Sequence, residues 1–376
     1  MLWYLYSFVI EIDRKDADIF KYYDDGLVMN SAWEESPETF FMLFSDVQDD
    51  DLETYYQSMY NWDRSYSLIR LNDNRTMIRL HALIGFVSGG SILTHVILFN
   101  LLSFIGLLFL FRGFKEFIDP PPWTFLLVCI IPPSLLFWSS GMLKECLVLL
   151  PLGISFYAIA SVLNGRDKWR LLILGTTLFI FIKPYVLLSF VPLVLYVLVR
   201  RYLSWSPIMT LLIIASGSIV LLALSTQVAQ LDIIGVLSLK QKDFINVAVT
   251  SGAGSTVDIP EIKGFLSFII NAPEAVFRTY LRPGIWEMRS SMDGLAAIEN
   301  SVYILLILSA LFFRKSALNI DLLFVCLIFL MSMGIIIGSV TPVLGAIVRY
   351  KVPAIPFLMI ALLHIIDLKK VNIFKR

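Results

Sequence analysis

The stretch RLLILGTTLFIFIKPYVLLSFVPLVLYVLVR, residues 170–200, decides how this chain is read. Two apolar arms, 171–182 and 186–199, flank Lys183-Pro184, and an arginine closes each end. At about 1.5 Å per residue the arms reach only ~18–21 Å. Neither crosses a hydrocarbon core of about 30 Å. Arg170 and Arg200 therefore share one membrane face, and Lys183-Pro184 stands within the membrane at the top of a short hairpin. Broken backbone at that depth must be buried in protein or face a wet cavity. An ionisable residue there points to function.

Apolar runs recur on both sides of the hairpin, at 91–111, 123–138, 142–163, 208–224, 295–313, 322–340 and 352–366. Pro132-Pro133 interrupts the second of them, and a less regular stretch, 80–90, suits a helix lying along the surface. The chain is 57% hydrophobic and 16% charged, against about 45–50% and about 25% in soluble domains. The fold expected is an all-α polytopic membrane protein with roughly 8–11 transmembrane or membrane-embedded helices. Two outer-face loops contain short helices.

Basic residues orient the bundle. Arg112 and Lys115, then Arg166, Lys168 and Arg170, then Arg200-Arg201, Arg314-Lys315 and the tail Lys369, Lys370, Lys375 and Arg376 fall on one side if the spans alternate. The positive-inside rule makes that side, and the C-terminus, cytoplasmic. The division that follows is a partial first membrane helix (1–10), an acidic outer loop with interfacial helices (11–76) and membrane helices including the hairpin (77–225). A second outer segment (226–293) and the C-terminal membrane helices with their basic tail (294–376) complete it. Within the second outer segment, 265–281 is amphipathic enough to lie in the membrane plane.

Residues 11–75 hold sixteen acidic and six basic side chains. Asp13, Asp16, Asp18, Asp24 and Asp25 fall nearest the first apolar segment. A carboxylate just above the bilayer can take a proton from an attacking hydroxyl. The plainer reading is a solvated acidic loop with Asp16 as an ordinary helix cap. Asp49-Asp50-Asp51, farther along, reads as solvated surface.

A second constellation is Phe137-Trp138-Ser139-Ser140-Gly141-Met142-Leu143-Lys144-Glu145. Here Ser139, Ser140 and Glu145 suit a helix cap and Lys144 an anionic headgroup, or Lys144 and Glu145 form an interfacial pair. Further cations are Lys183, Arg79 beside His81, Arg282 in Arg282-Pro-Gly-Ile-Trp286-Glu287, and Arg349 and Lys351 around Tyr350. Outward cations suit a phosphate; cations at helix ends also serve as plain membrane anchors. His95 and His364, alone in apolar spans, read as packed or hydrogen-bonded side chains. The three cysteines, Cys129, Cys146 and Cys326, lie in apolar runs and offer neither a disulfide framework nor a zinc site.

Net charge is zero, so nothing in bulk charge calls for nucleic acid. There is no Walker A loop, no HExxH and no GxSxG, which removes three common hydrolytic chemistries.

The layout resembles the GT-C superfamily of polytopic glycosyltransferases, which includes protein O-mannosyltransferases and aminoarabinose transferases. The residues that carry it are Asp16-Ala17 before an aromatic helix (Phe20, Tyr22, Tyr23), the run Pro133 to Glu145, Lys183-Pro184, and Arg349-Tyr350-Lys351-Val-Pro353. The resemblance implies a bacterial inner-membrane enzyme that moves a sugar from a polyprenyl-phosphate donor to a glycan, lipid or protein acceptor on the outer face. It implies Asp16 as general base, with Asp18 next and Asp24 and Asp25 behind them. Lys144, Lys183, Arg282, Arg349 and Lys351 would hold the lipid phosphate, and Arg79, Glu145, Trp286 and Tyr350 other parts of the substrates. No cofactor is required, although two nearby carboxylates are able to hold a divalent metal. The chain is short for that superfamily and lacks its large C-terminal soluble domain. The competing readings are a lipid-linked polysaccharide polymerase or ligase, and a transporter or flippase, although no repeated halves are visible.

Overall fold

The computed structural model describes residues 18–62, 73–252, 254–367 and 370. Among these residues every regular element is helical. A cap is formed by α1 (Asp18–Glu35), α2 (Pro37–Phe44), α3 (Glu53–Ser58) and α4 (Asp73–Ser88). The bundle follows with α5 (Ile92–Lys115), α6 (Pro133–Ser139), α7 (Lys144–Leu163), α8 (Trp169–Ile182), α9 (Pro184–Tyr202) and α10 (Pro207–Ser225). Then come α11 (Ile233–Thr250), α12 (Phe265–Leu281), α13 (Ser291–Phe312), α14 (Ile320–Val340), α15 (Leu344–Tyr350) and α16 (Ile355–Ile365).

Six of these helices, α5, α7, α9, α10, α13 and α14, are long and apolar enough to cross a membrane. Leu344–Tyr350 and Val352–Ile365 make a seventh if the pair, bent by 43°, counts as one span. The chain is thus an all-α polytopic membrane protein. The hairpin departs from the expectation that neither arm crosses the core. Helix α8 has 14 residues, but α9 has 19 and is itself long and apolar enough to cross, because it starts at Pro184 and runs on through Arg200 and Arg201 to Tyr202. The run 123–138 is not one continuous helix. A helical turn, Trp123–Phe125, passes into a π-helical turn, Leu126–Ile130, and Pro133 starts the separate helix α6. Proline cannot supply the amide that a continuous helix needs there.

The basic linkers gather at one end of the bundle. Arg166 binds Glu116 at 2.8 Å, and Arg200 binds Asp321 through Nε and Nη2 at 2.7 and 2.8 Å. Asn319 donates to the Phe117 carbonyl at 2.7 Å, and the Lys315 amide donates to Ile365 at 2.9 Å. His364 Nε2 accepts the Asn319 amide at 2.8 Å. The alternation read from the sequence therefore holds at this end.

The bundle is built around α7, which is buried along most of its length. Gly106 of α5 and Gly153 of α7 let the two backbones touch, and a Cβ on Gly153 would run into the Gly106 carbonyl. Small residues serve this purpose in membranes, where close van der Waals contact replaces a hydrophobic drive. Gly153→Leu is expected to separate the pair and cost about 2–4 kcal/mol. The check is the temperature at which detergent-solubilised protein loses its monodisperse peak.

Contrary to the amphipathic reading of 265–281, α12 does not lie flat. It packs antiparallel along α14, with Gly334 and Gly338 facing Val276 and Ala275. Thr279 donates to the Gly334 carbonyl at 2.8 Å and buried Arg278 to the Gly338 carbonyl at 2.7 Å. The polar face that suggests a lipid–water interface is spent on α14 backbone.

The cap is joined to the bundle through α4. Gly26 of α1 and Gly85 of α4 allow a tight crossing against His81 and Asn30. Arg75 pairs with Asp46, and its Nε donates to the Trp62 carbonyl at 3.2 Å. Arg79 lies 5.1 Å from the Trp62 ring, and its Nε donates to the Phe44 carbonyl at 2.7 Å. These arginines are clasps for the α2–α3 loop. Arg75→Ala is expected to expose that loop, read as faster proteolytic nicking between Phe44 and Trp62 with the bundle intact.

Candidate functional site

Helix α8 rises from the basic end through 14 residues, about 21 Å of helix, and stops at Lys183. That residue is 3% exposed, and its ammonium pairs with Oε1 of Glu145, in the first turn of α7. The other carboxylate oxygen, Oε2, lies 2.9 Å from Nε of Arg349, on the last turn of α15. Glu145 is fully buried. One carboxylate thus ties two cations from distant parts of the chain inside the protein, where ionised groups are costly unless paired.

Aromatic rings enclose this triad. Lys183 Nζ lies 5.1 Å from the Tyr350 ring and 5.5 Å from that of Tyr185. The Arg349 guanidinium lies 5.6 Å from the Trp138 ring, at the end of α6. Rings of this kind hold cations through their quadrupoles.

Lys144 points elsewhere. It is buried, donates to Asn74 Oδ1 at 2.6 Å and lies 5.2 Å from the Tyr22 ring. The Tyr22 hydroxyl donates to the same Asn74 oxygen at 2.8 Å. This contact joins α1, α4 and α7 at the residue before Glu145. The expected helix cap is not formed. Leu143 precedes α7 with no side-chain cap, and Ser140 turns back to the Phe137 carbonyl at 2.8 Å.

A second buried layer fixes the broken segments. Glu299 of α13 accepts the Ser134 amide and hydroxyl at 2.8 and 2.6 Å, anchoring the start of α6, and also accepts from the Tyr303 hydroxyl. Lys351 donates to Asn300 Oδ1 at 2.6 Å, and Asn300 donates to the Pro283 carbonyl at 2.9 Å. Lys351 therefore faces this layer, one step from the triad along the chain.

The remaining predicted residues divide clearly. Asp13 and Asp16 lie outside the described residues. Asp18 opens α1, four positions before Tyr22. Asp24 is exposed, whereas Asp25 is buried and accepts the Asn61 amide at 2.8 Å, which ties α1 to the end of the α3 loop. Burial pushes the Asp25 carboxyl up, against the pull of the Asn61 hydrogen bonds. Arg282 is engaged by Glu287 through Nε at 2.8 Å, and that hydrogen bond holds the Glu287 carboxyl down. Trp286 is 81% exposed on the surface. The structure thus brings together Glu145, Lys183, Arg349 and Tyr350. Lys144 and Lys351 neighbour them in sequence but meet Asn74 and Asn300. Arg79 belongs to the cap clasp, and Arg282 is engaged by Glu287.

Sequence reading missed Asn74, Tyr185, Glu299 and Asn300. It also missed a buried histidine pair, in which His81 Nδ1 and His95 Nδ1 are 2.9 Å apart and Ser88 meets His95 Nε2 at 2.8 Å. Among the described residues no group of three or more His, Cys, Asp and Glu side chains comes together as a metal site. No protein-family model matches this chain, and neither a curated protein nor a solved structure shows significant similarity to it.

Proposed function

We propose that this chain is a membrane glycosyltransferase that moves a sugar from a polyprenyl-phosphate donor to an acceptor at the membrane surface opposite its basic linkers. The observation that carries this reading is the meeting of Lys183 and Arg349 on Glu145. Two cations that share one buried carboxylate, beside aromatic rings, suit a phosphate whose lipid tail stays in the bilayer. Arginine supplies a planar fork for phosphate oxygens and lysine a compact charge.

The chemistry is a single inverting displacement. A carboxylate of the N-terminal acidic segment takes the acceptor hydroxyl proton. That oxygen forms the new bond to the anomeric carbon as the bond from this carbon to the lipid phosphate breaks. The electron pair leaves with the phosphate, where Lys183 and Arg349 stabilise the charge that develops. The Lys144–Asn74–Tyr22 contact supports this reading, because it joins α1, which follows Asp13 and Asp16 in sequence, to the first turn of α7, where Glu145 also lies.

The test is turnover of polyprenyl-phosphate-linked sugars by the full chain in nanodiscs. Lys183→Gln and Arg349→Gln are each expected to lower turnover about 10²–10³-fold. Both should still fold, because the remaining cation stays on Glu145. Unchanged turnover in both variants overturns the proposal.

A further inference from the structure

Three rings from three separate elements stand in series beside the triad. Tyr185 opens α9, Tyr350 closes α15, and Phe244 lies in the middle of α11. The Tyr185 and Tyr350 centroids are 6.2 Å apart, and those of Tyr350 and Phe244 are 5.9 Å apart. All three rings are partly exposed. Lys183 marks one end of the series, over Tyr350 and Tyr185. Lys240, one turn before Phe244, marks the other, with its ammonium 5.6 Å from the Phe244 ring.

The position of Phe244 is fixed. Buried Gln241, three residues earlier, donates to the Pro260 and Ser339 carbonyls at 2.9 and 2.7 Å and accepts the Ile262 amide at 2.9 Å. That satisfied amide locks α11 to the end of α14. Ala248, one turn after Phe244, is buried on the same side. Phe244 is thus presented toward Tyr350 by a rigid mount.

We infer that Tyr185, Tyr350 and Phe244 form a saccharide platform, and that Phe244 is a specificity-determining residue for the sugar carried by the lipid phosphate. The inference rests on the phosphate-binding reading of Lys183 and Arg349. The C–H faces of a pyranose are apolar and stack on aromatic rings, while its hydroxyls need donors at the rim. Lys240, with three N–H donors, stands where such hydroxyls would project. A contact as strong as an aromatic pair contributes about 0.5–1.5 kcal/mol, about two- to twelvefold in affinity.

The experiment compares two probes on the full chain in nanodiscs. One is a short-chain polyprenyl phosphate. The other is the same lipid phosphate carrying mannose, glucose, galactose or N-acetylglucosamine. Wild type is expected to bind at least one sugar-bearing probe more tightly than the bare lipid phosphate. Phe244→Leu keeps apolar volume but removes the ring, and should erase that difference by about two- to twelvefold while leaving the bare probe unchanged. Phe244→Trp should retain it. If Phe244→Leu weakens both probes equally, or neither, the platform is overturned while the phosphate reading stands. If wild type gains nothing from any of the four sugars, the platform is overturned in the same way. If wild type binds neither probe, and Lys183→Gln changes nothing, both readings fall together.

Discussion

Glu145→Ala is expected to give a chain that fails to hold its native bundle, with a loss of about 3–5 kcal/mol. The variant removes the carboxylate that Lys183 and Arg349 share, and Lys183 is almost wholly buried. Two like charges then face each other at low dielectric, where the penalty for an uncompensated ion is several kcal/mol. The contacts broken link α7 to the hairpin turn and to the end of α15, so three parts of the bundle loosen at once. Glu145→Gln tests the charge alone, since it keeps the volume and one acceptor oxygen. It should be destabilised almost as much, whereas Glu145→Asp, with the charge withdrawn by one methylene, should recover part of the loss. The double variant Glu145→Gln with Lys183→Met removes a charge of each sign and should be more stable than Glu145→Gln alone. The measurement is the yield and melting temperature of the monodisperse detergent-solubilised protein. If Glu145→Gln melts within 2 °C of wild type, on the order of the shift from 1 kcal/mol in a large chain, the triad does not hold the bundle together.

How far these contacts could be read from sequence depends on the residue. Lys183 was legible because an ionisable side chain beside proline, inside an apolar run with arginines at both ends, has few explanations in a membrane. The shared end of the basic linkers was legible because charge and span length both constrain it. The partners of Lys144 and Glu145 were not. As neighbours in sequence they suggest a pair, but successive residues on a helix do not face each other. One turns to Asn74 and Tyr22, the other to Lys183 and Arg349, and only the fold supplies those partners.

The error over 265–281 had a visible remedy. Gly334-Ile-Ile-Ile-Gly338 spaces two glycines four apart in an apolar helix, the pattern of a close helix crossing. Set beside it, the polar face of α12 reads as a set of donors for α14 carbonyls. Arg282 was legible as a cation, but its engagement by Glu287, five residues on, was not weighed against phosphate binding. Asn74 and Asn300 carried no signal at all, since a single amide in a sequence does not reveal which lysine it will meet.

Asp16→Asn is expected to abolish transfer, with a loss of about 10²–10⁴-fold from removal of a general base. Asp18→Asn is the parallel case. Asn preserves size and hydrogen bonding but does not accept the acceptor's proton at neutral pH. Asp18 begins α1, and Tyr22, one turn later, joins the Lys144–Asn74 contact. Tyr22 therefore sits beside Lys144, in the first turn of α7. Asp24 is exposed and Asp25 is committed to the Asn61 amide, so neither competes well for the role. Asp25→Asn should instead loosen the cap by about 1–2 kcal/mol, with turnover kept in the folded fraction. Each variant should insert into membranes and melt near wild type except Asp25→Asn. The decisive comparison is single-turnover transfer in the Asn variants against wild type, with lipid-phosphate binding measured in parallel. Loss of transfer with binding intact assigns the base to Asp16 or Asp18, according to which variant is silent. Full transfer in both removes this segment from the chemistry and leaves the cap a purely structural cover.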